Sequence, residues 1–127
     1  MKILLDTCEF LWLISDDIAL PIPARQAIQD PNNEVFLSVV SLWKITIKHA
    51  LGRLPLPQMP DVYIPSQREL HGIRSLSLDE SAVRRLGELP SIHRDPFDRM
   101  LICQSLDGGM HLASSDPVMR QYSVTLL

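Results

Sequence analysis

Lys2-Ile3-Leu4-Leu5-Asp6-Thr7 sets an unbroken apolar run directly against a carboxylate and a hydroxyl. A strand covered on both faces reads as such a run, because neither face alternates with water, and parallel sheets are the ones covered on both sides. The polar pair then marks the edge of the sheet. Outward from this strand the chain repeats the theme: Val35-Phe36-Leu37, Ile73 to Leu76 and Met110 to Ala113 read as further strands, and Val124 to Leu127 as a closing one. Helical stretches fall between them. Glu9 to Ile14 is the first, and Pro23 to Gln29 the second, with Pro23 suited to a first turn and Asp30-Pro31-Asn32-Asn33 as its stop. Ser38 to Leu51 carries apolar residues at Val39, Leu42, Trp43, Ile47, Ala50 and Leu51, and Gly52 ends it. Ser77 with Glu80 three residues on forms a capping box that opens a helix through Leu86. Asp95-Pro96-Phe97-Asp98 starts another that runs through Leu106 to Gly108-Gly109, and Asp116-Pro117 begins one more turn. Pro55, Pro57, Pro60 and Pro65 make 52–65 a loop or a broken helix. Strands alternating with helices predict an α/β fold with a mostly parallel sheet covered on both faces.

Composition bounds what such a fold can be. A chain of 127 residues, 46% of them hydrophobic, fits a single domain over residues 1–127. At this size roughly 65–70% of the unfolded surface is buried, so neither a disulfide nor a structural metal is needed for a core. Cys8 and Cys103 make no disulfide framework, and Asp6 interrupts the first apolar run where a signal peptide would continue it. No stretch approaches the ~18 consecutive apolar residues of a spanning helix, so the expected setting is the cytoplasm, away from membranes. Twelve Lys plus Arg against fifteen Asp plus Glu, a formal charge of −3, argues against sequence-blind coating of nucleic acid while leaving room for a local site. No phosphate-binding loop, dinucleotide fingerprint or Gly-x-Ser-x-Gly elbow is present.

Ligands of open α/β sheets bind beyond the carboxyl ends of the strands. Asp6 and Asp116 each fall at or just after such an end. Asp6 has a plain alternative as the cap of the helix that follows it, and Asp95, Asp98 and Asp116 stand where caps or first-turn acids also belong. A cap needs one carboxylate, however, and Asp95 and Asp98 offer two. Acids from distant parts of the chain that gathered at one edge would repel one another unless a cation lay among them, and the hard oxygen-loving ions Mg²⁺ and Mn²⁺ suit that place. His49, His71, His93 and His111 show no zinc spacing with either cysteine and read as surface or packing histidines. Trp12 and Trp43 read as core.

Asp6-Thr7 after the first strand, Ser41-Leu42-Trp43-Lys44-Ile45, His93-Arg94-Asp95-Pro96-Phe97-Asp98-Arg99 and Ser114-Ser115-Asp116 together resemble a PIN-domain protein of the VapC toxin type. The similarity runs through nearly the whole chain, and the block from His93 to Arg99 is its most specific part. The resemblance implies a three-layer PIN-like fold with a central sheet of four or five short strands. It implies a Mg²⁺- or Mn²⁺-dependent ribonuclease of a toxin–antitoxin pair, usually dimeric and neutralised by a cognate antitoxin. Asp6 matches the first acid of the family's pattern, Asp98 the third and Asp116 the fourth, with Asp95 an extra acid of this subgroup. On this reading those four are the catalytic acids, and Asp6, Asp98 and Asp116 hold the metal.

The second acid is absent. Where similar sequences carry Glu, this chain has Lys44. Ser41 with an acid three residues later would form a capping box, whereas a cation in a first turn opposes the helix dipole. Exchanging carboxylate for ammonium moves the site toward positive charge, and one unit-charge pair at about 4 Å is worth roughly 4 kcal/mol at an effective dielectric near 20. Weaker metal binding is the expected direction, with Lys44 paired to Asp6 or Asp98 in the ion's stead. Ser115 likewise replaces an Arg common before the fourth acid. Arg94, Arg99, Lys48 and Arg53 are the candidates for RNA phosphate contacts. Three functions fit this pattern: a VapC-like ribonuclease impaired by Lys44, a catalytically inactive PIN domain that binds antitoxin or RNA, and a phosphoacceptor receiver domain. The last is disfavoured because Asp6 is followed by Thr7 and Cys8 where paired acids are wanted.

Overall fold

The computed structural model describes residues 1–127. In chain order the elements are β1 (Lys2–Leu5), α1 (Thr7–Ile14), α2 (Ile22–Gln29), β2 (Glu34–Ser38), α3 (Val39–Ala50), α4 (Pro60–Leu70), β3 (Arg74–Leu76), α5 (Glu80–Arg84), α6 (Pro96–Gly108) and β4 (His111–Ala113). Short 3-10 turns cover Arg85–Gly87 and Pro117–Gln121. The four strands form one parallel sheet in the order β3-β2-β1-β4.

Ile3, Leu4 and Leu5 have no exposed surface at all, as the apolar run requires of a central strand. Alternation along β1 sends Ile3 and Leu5 into one core, with Phe10, Val35 and Ile45. Leu4 faces the other, with Leu101, Leu112 and Met119. The chain steps from β1 outward to β2 and β3, then returns to lay β4 on the other flank of β1. The direction of winding therefore reverses between β1 and β4, and a crevice opens there beyond the carboxyl ends of the strands.

Four expectations need correction. Helix α3 is capped by Ser38, whose hydroxyl accepts from the Val40 N–H, so Lys44 lies mid-helix and not in a first turn opened by Ser41. Helix α4 runs straight through Pro65. Pro60 occupies its first position, where a missing N–H costs nothing, and buried Ile64 holds it on the core, so tertiary packing offsets the hydrogen bond that Pro65 removes. Ser77 does not open α5; the helix starts later, with Asp79 at the cap position and no side-chain capping bond. Val124 to Leu127 does not form a strand but makes one parallel bridge, Leu126 to Leu112, beside the sheet edge. The remaining strands and the other helices lie where the sequence places them, to within two residues at most ends.

Candidate active site

The register that sets Leu5 beside Ala113 carries Asp6 alongside Ser114. Asp6 occupies the cap position of α1, yet its side chain makes no capping bond. Instead its Oδ2 accepts from the Ser114 hydroxyl at 2.6 Å, and the same hydroxyl accepts from the Asp116 N–H at 3.1 Å. The capping alternative for Asp6 thus fails: a carboxylate only 5% exposed is turned toward β4. Asp116 does both jobs. Its Oδ1 caps the following turn through the Val118 N–H at 3.0 Å, and its Oδ2 lies 2.9 Å from Nε2 of His93.

From the opposite side comes the amino-terminal turn of α6. Asp95 caps it, Oδ1 accepting from the N–H groups of Phe97 at 2.8 Å and Asp98 at 3.3 Å. Its Oδ2 meets Nζ of Lys44 at 2.8 Å. Asp98, 7% exposed, points inward, with Oδ1 at 3.2 Å from the same ammonium and Oδ2 at 3.2 Å from His93 Nε2. Nδ1 of His93 accepts from the Asp95 N–H at 3.1 Å, so the ring proton sits on Nε2 and is shared between Asp98 and Asp116. The segment bearing His93 is fixed from the far end of the chain. The Tyr122 hydroxyl accepts from the N–H groups of Ile92 at 3.1 Å and His93 at 2.6 Å and donates to the Pro90 carbonyl at 2.9 Å.

Charge and burial divide these groups. Burial, reinforced by the nearby charge of Asp6, pushes the Asp98 carboxyl above the usual range despite Lys44. Burial works against the Lys44 ammonium too, but the hydrogen bond to Asp95 and the charges of Asp98 and Asp95 outweigh it and raise its pKa. The two partners of one ion pair therefore shift in directions of opposite meaning. Lys44 stays charged because two carboxylates share it, while Asp98 also faces Asp6 and cannot be neutralised by half an ammonium. Burial likewise opposes ionisation of Asp95, yet Lys44 and the capped N–H groups bring its pKa below normal. Asp116 is lowered as well, burial being outweighed by the Val118 N–H and His93.

Among the sequence candidates, Asp6, Asp98 and Asp116 come to one edge, and Lys44 joins them through Asp95 and Asp98. Lys44 makes no pair with Asp6, one of the two partners the sequence suggested. Arg99 is turned away: its guanidinium donates to the carbonyls of Pro90 at 2.8 Å and Leu89 at 3.4 Å, tying the loop before α6. Arg94, Lys48 and Arg53 are exposed. Two participants escaped the sequence. His93 is a bridging donor and not a packing histidine, a role its place just ahead of Asp95 could have suggested. Glu9 is 2% exposed and accepts from the Ser115 N–H at 3.0 Å and hydroxyl at 3.4 Å, with burial pushing its pKa up. It joins α1 to the turn carrying Asp116. Trp43 is not core; it is 58% exposed and edges against Phe97, ring centroids 5.0 Å apart.

Ligand atoms of His93, Asp98 and Asp116 lie within 4.8 Å of one another, and Asp6 joins them through the Ser114 hydroxyl that it shares with the Asp116 N–H. Three convergent carboxylates are the donor chemistry that a hard divalent cation takes. His93 is an unsuitable ligand in this arrangement, since its Nε2 carries the proton and its Nδ1 is occupied. Both oxygens of Asp98 and both of Asp116 already accept from protein donors.

A family model described as PIN domain matches residues 3–124. Ribonuclease VapC16 of Mycobacterium tuberculosis (strain ATCC 25618 / H37Rv) is 38% identical over 69 residues, which is 53% of this chain and 49% of that protein. The matched stretch thus covers about half the length of this curated relative. The fold superposes on a VapBC2 structure from Rickettsia felis, bound to a DNA fragment from its promoter, with a TM-score of 0.72 at 11% identity over 100% of this chain and 97% of that one. It also superposes on VapBC-1 from nontypeable Haemophilus influenzae, with a TM-score of 0.65 at 20% identity over 95% and 91%. At these identities the structures share a fold with the chain and establish nothing more.

Proposed function

The chain belongs to the PIN-domain family, and from that premise we propose that it is a VapC-type endoribonuclease, the toxin of a toxin–antitoxin pair, organised as one domain over residues 1–127. The observation that carries this is the meeting of Asp6, Asp98 and Asp116 at the crevice between β1 and β4, where Ser114 links Asp6 to Asp116 and His93 links Asp116 to Asp98. The substrate is RNA, and Asp6, Asp98 and Asp116 would hold Mg²⁺ or Mn²⁺. Such an ion, when bound, supplies an activated water and neutralises charge on the departing oxygen. Ser114 orients the Asp6 carboxylate, Glu9 fixes the turn that presents Asp116, and Asp95 sets the start of α6. Arg94, Lys48 and Arg53 are free to meet backbone phosphate, which positions RNA without reading its bases. Its partners are a cognate antitoxin and a second copy of the chain. Its setting is the cytoplasm; no helix is long and apolar enough to cross a membrane.

A second function is favoured by one specific observation, the Lys44 ammonium held between Asp95 and Asp98. It is that of a catalytically silent PIN domain that still binds antitoxin or RNA. Cleavage of RNA in Mg²⁺ or Mn²⁺ by the natural chain, Lys44→Glu and the double variant Lys44→Glu/Asp6→Asn separates the two. The ribonuclease assignment expects Lys44→Glu to cut at least about 100-fold faster than the double variant, as loss of a group acting in the transition state does. Cleavage by neither, with antitoxin binding intact in both, would leave the silent binding module.

A further inference from the structure

Lys44 bears on a question that family membership does not answer, namely what neutralises the acids of this particular chain. Four carboxylates, Asp6, Asp95, Asp98 and Asp116, crowd one end of the sheet, and in a low-dielectric setting they would drive the edge apart if nothing opposed them. The protein already supplies the opposing groups. Nζ of Lys44 lies 2.8 Å from Asp95 and 3.2 Å from Asp98, on a side chain only 12% exposed, and the His93 Nε2–H spans the other oxygen of Asp98 and Oδ2 of Asp116. The stem of Lys44 rises from the middle of α3, whose neighbours Val40, Ser41 and Ile45 are buried, so the helix cannot withdraw it. What can move is the flexible end of the side chain, whose rotatable bonds let the charged head leave Asp98 while the stem stays packed.

We propose that the Lys44 ammonium is a resident cation that takes the electrostatic place of a divalent ion in this chain, so that metal and Lys44 compete for Asp98. The inference rests on the assignment of Asp6, Asp98 and Asp116 as metal-holding acids. Its consequence is that the acid cluster stays assembled without metal, and that a divalent ion binds only by displacing the ammonium from Asp98. Competition of this kind makes two quantities move in opposite directions when Lys44 is removed. Stability without metal falls, because Asp95 and Asp98 lose their shared partner. Affinity for metal rises, because the Asp98 oxygen that faced the ammonium is open and only the His93 Nε2–H still occupies the other.

The test is a titration with Mn²⁺ alone, followed by electron paramagnetic resonance of the free ion and by thermal unfolding, on the natural chain, Lys44→Met and Lys44→Glu. Lys44→Met keeps an unbranched apolar side chain of similar length in α3 and removes only the charge. The competitor role expects Lys44→Met to melt lower than the natural chain in chelator, to recover in Mn²⁺, and to bind Mn²⁺ roughly tenfold tighter or more, with Lys44→Glu tighter still. Equal Mn²⁺ affinity for the natural chain and Lys44→Met would overturn the competitor role and leave the metal-holding acids in place. Absence of binding by all three would overturn both. Adding Asp98→Asn to Lys44→Glu controls for location; undiminished binding there would put the ion elsewhere and overturn the proposal as well.

Discussion

At its first turn helix α6 presents Asp98 to Lys44, and near its last it presents Asp107 to Arg85, whose Nε lies 3.0 Å from Oδ1. The chemistry is the same carboxylate facing the same sign of charge, and the outcome is opposite. Asp107 is exposed; hydrogen bonds from Ser81 and Arg85 draw its pKa down. Asp98 is buried beside Asp6, and its pKa rises although an ammonium touches it. The partner therefore does not decide how an acid behaves here; burial and the other acids do. The exposed pair fastens the 3-10 turn after α5 to α6, while the buried one is held in a state its own environment disfavours, which is the condition expected of a site.

Four measurements can break or sharpen this contrast. The largest change belongs to Lys44→Met, which leaves Asp95 and Asp98 without their cation; a loss of about 2–4 kcal/mol in urea unfolding is expected, the scale of breaking a largely buried pair from one side. A change no larger than that of a surface substitution would mean water already neutralises the acids. Next come the two caps of the helix. Asp95→Ala removes the carboxylate that caps Phe97 and Asp98 and should cost about 1–2 kcal/mol for the cap by the same measurement, with Lys44 left to Asp98 alone. Gly109→Ala, at φ +61° with open space around the added carbon, should cost about 1 kcal/mol for its left-handed backbone alone.

Acid gives the third test. A carboxyl whose folded pKa is raised binds its proton more readily folded than unfolded, so Asp98 favours folding increasingly as pH falls through that raised value. A lowered pKa does the reverse: what Asp107 contributes is present above the unfolded value, near 3.9, and is lost as pH falls through its folded one. Nuclear magnetic resonance of the side-chain carboxyl carbons should find Asp98 titrating above an ordinary aspartate and Asp107 below it. Reversed order would defeat the comparison. The smallest effect is that of Asp107→Asn, which should move the melting temperature least of the series and by an amount that high salt removes.

How much of this was legible in the sequence follows from what each signal depends on. Strand β1 was readable because a run of aliphatic residues needs only its own burial, and the start of α6 because Asp95-Pro96 is a local instruction for capping. Asp6, Asp98 and Asp116 could be nominated one at a time from their places beside strand ends and helix starts, and assembled by family resemblance. Glu9 could not. Its partner is Ser115, brought near by the β1–β4 pairing, and nothing around Glu9 announces that contact. Zinc-ligand spacing is silent about His93, whose ring bridges two acids through contacts that only the fold creates. Trp43 shows the limit of periodicity: Val39, Trp43 and Ile47 recur at helical spacing yet are exposed, while the buried residues of α3 are Val40, Ser41 and Ile45. Val40 and Ile45 enter different cores and make no stripe of their own, so only packing reveals the covered side. Pro65 misleads for a related reason, since a local rule against helix loses to the anchoring of Ile64.

The hydroxyl of Tyr122 touches no acid, yet it pins the loop that delivers His93, and through His93 it governs how Asp98 and Asp116 face each other. A protease that clipped the tail ahead of Tyr122 would loosen the cluster without altering a charged residue. Because Tyr122 is also buried in the second core, one side chain ties the geometry of the acids to the packing beneath them.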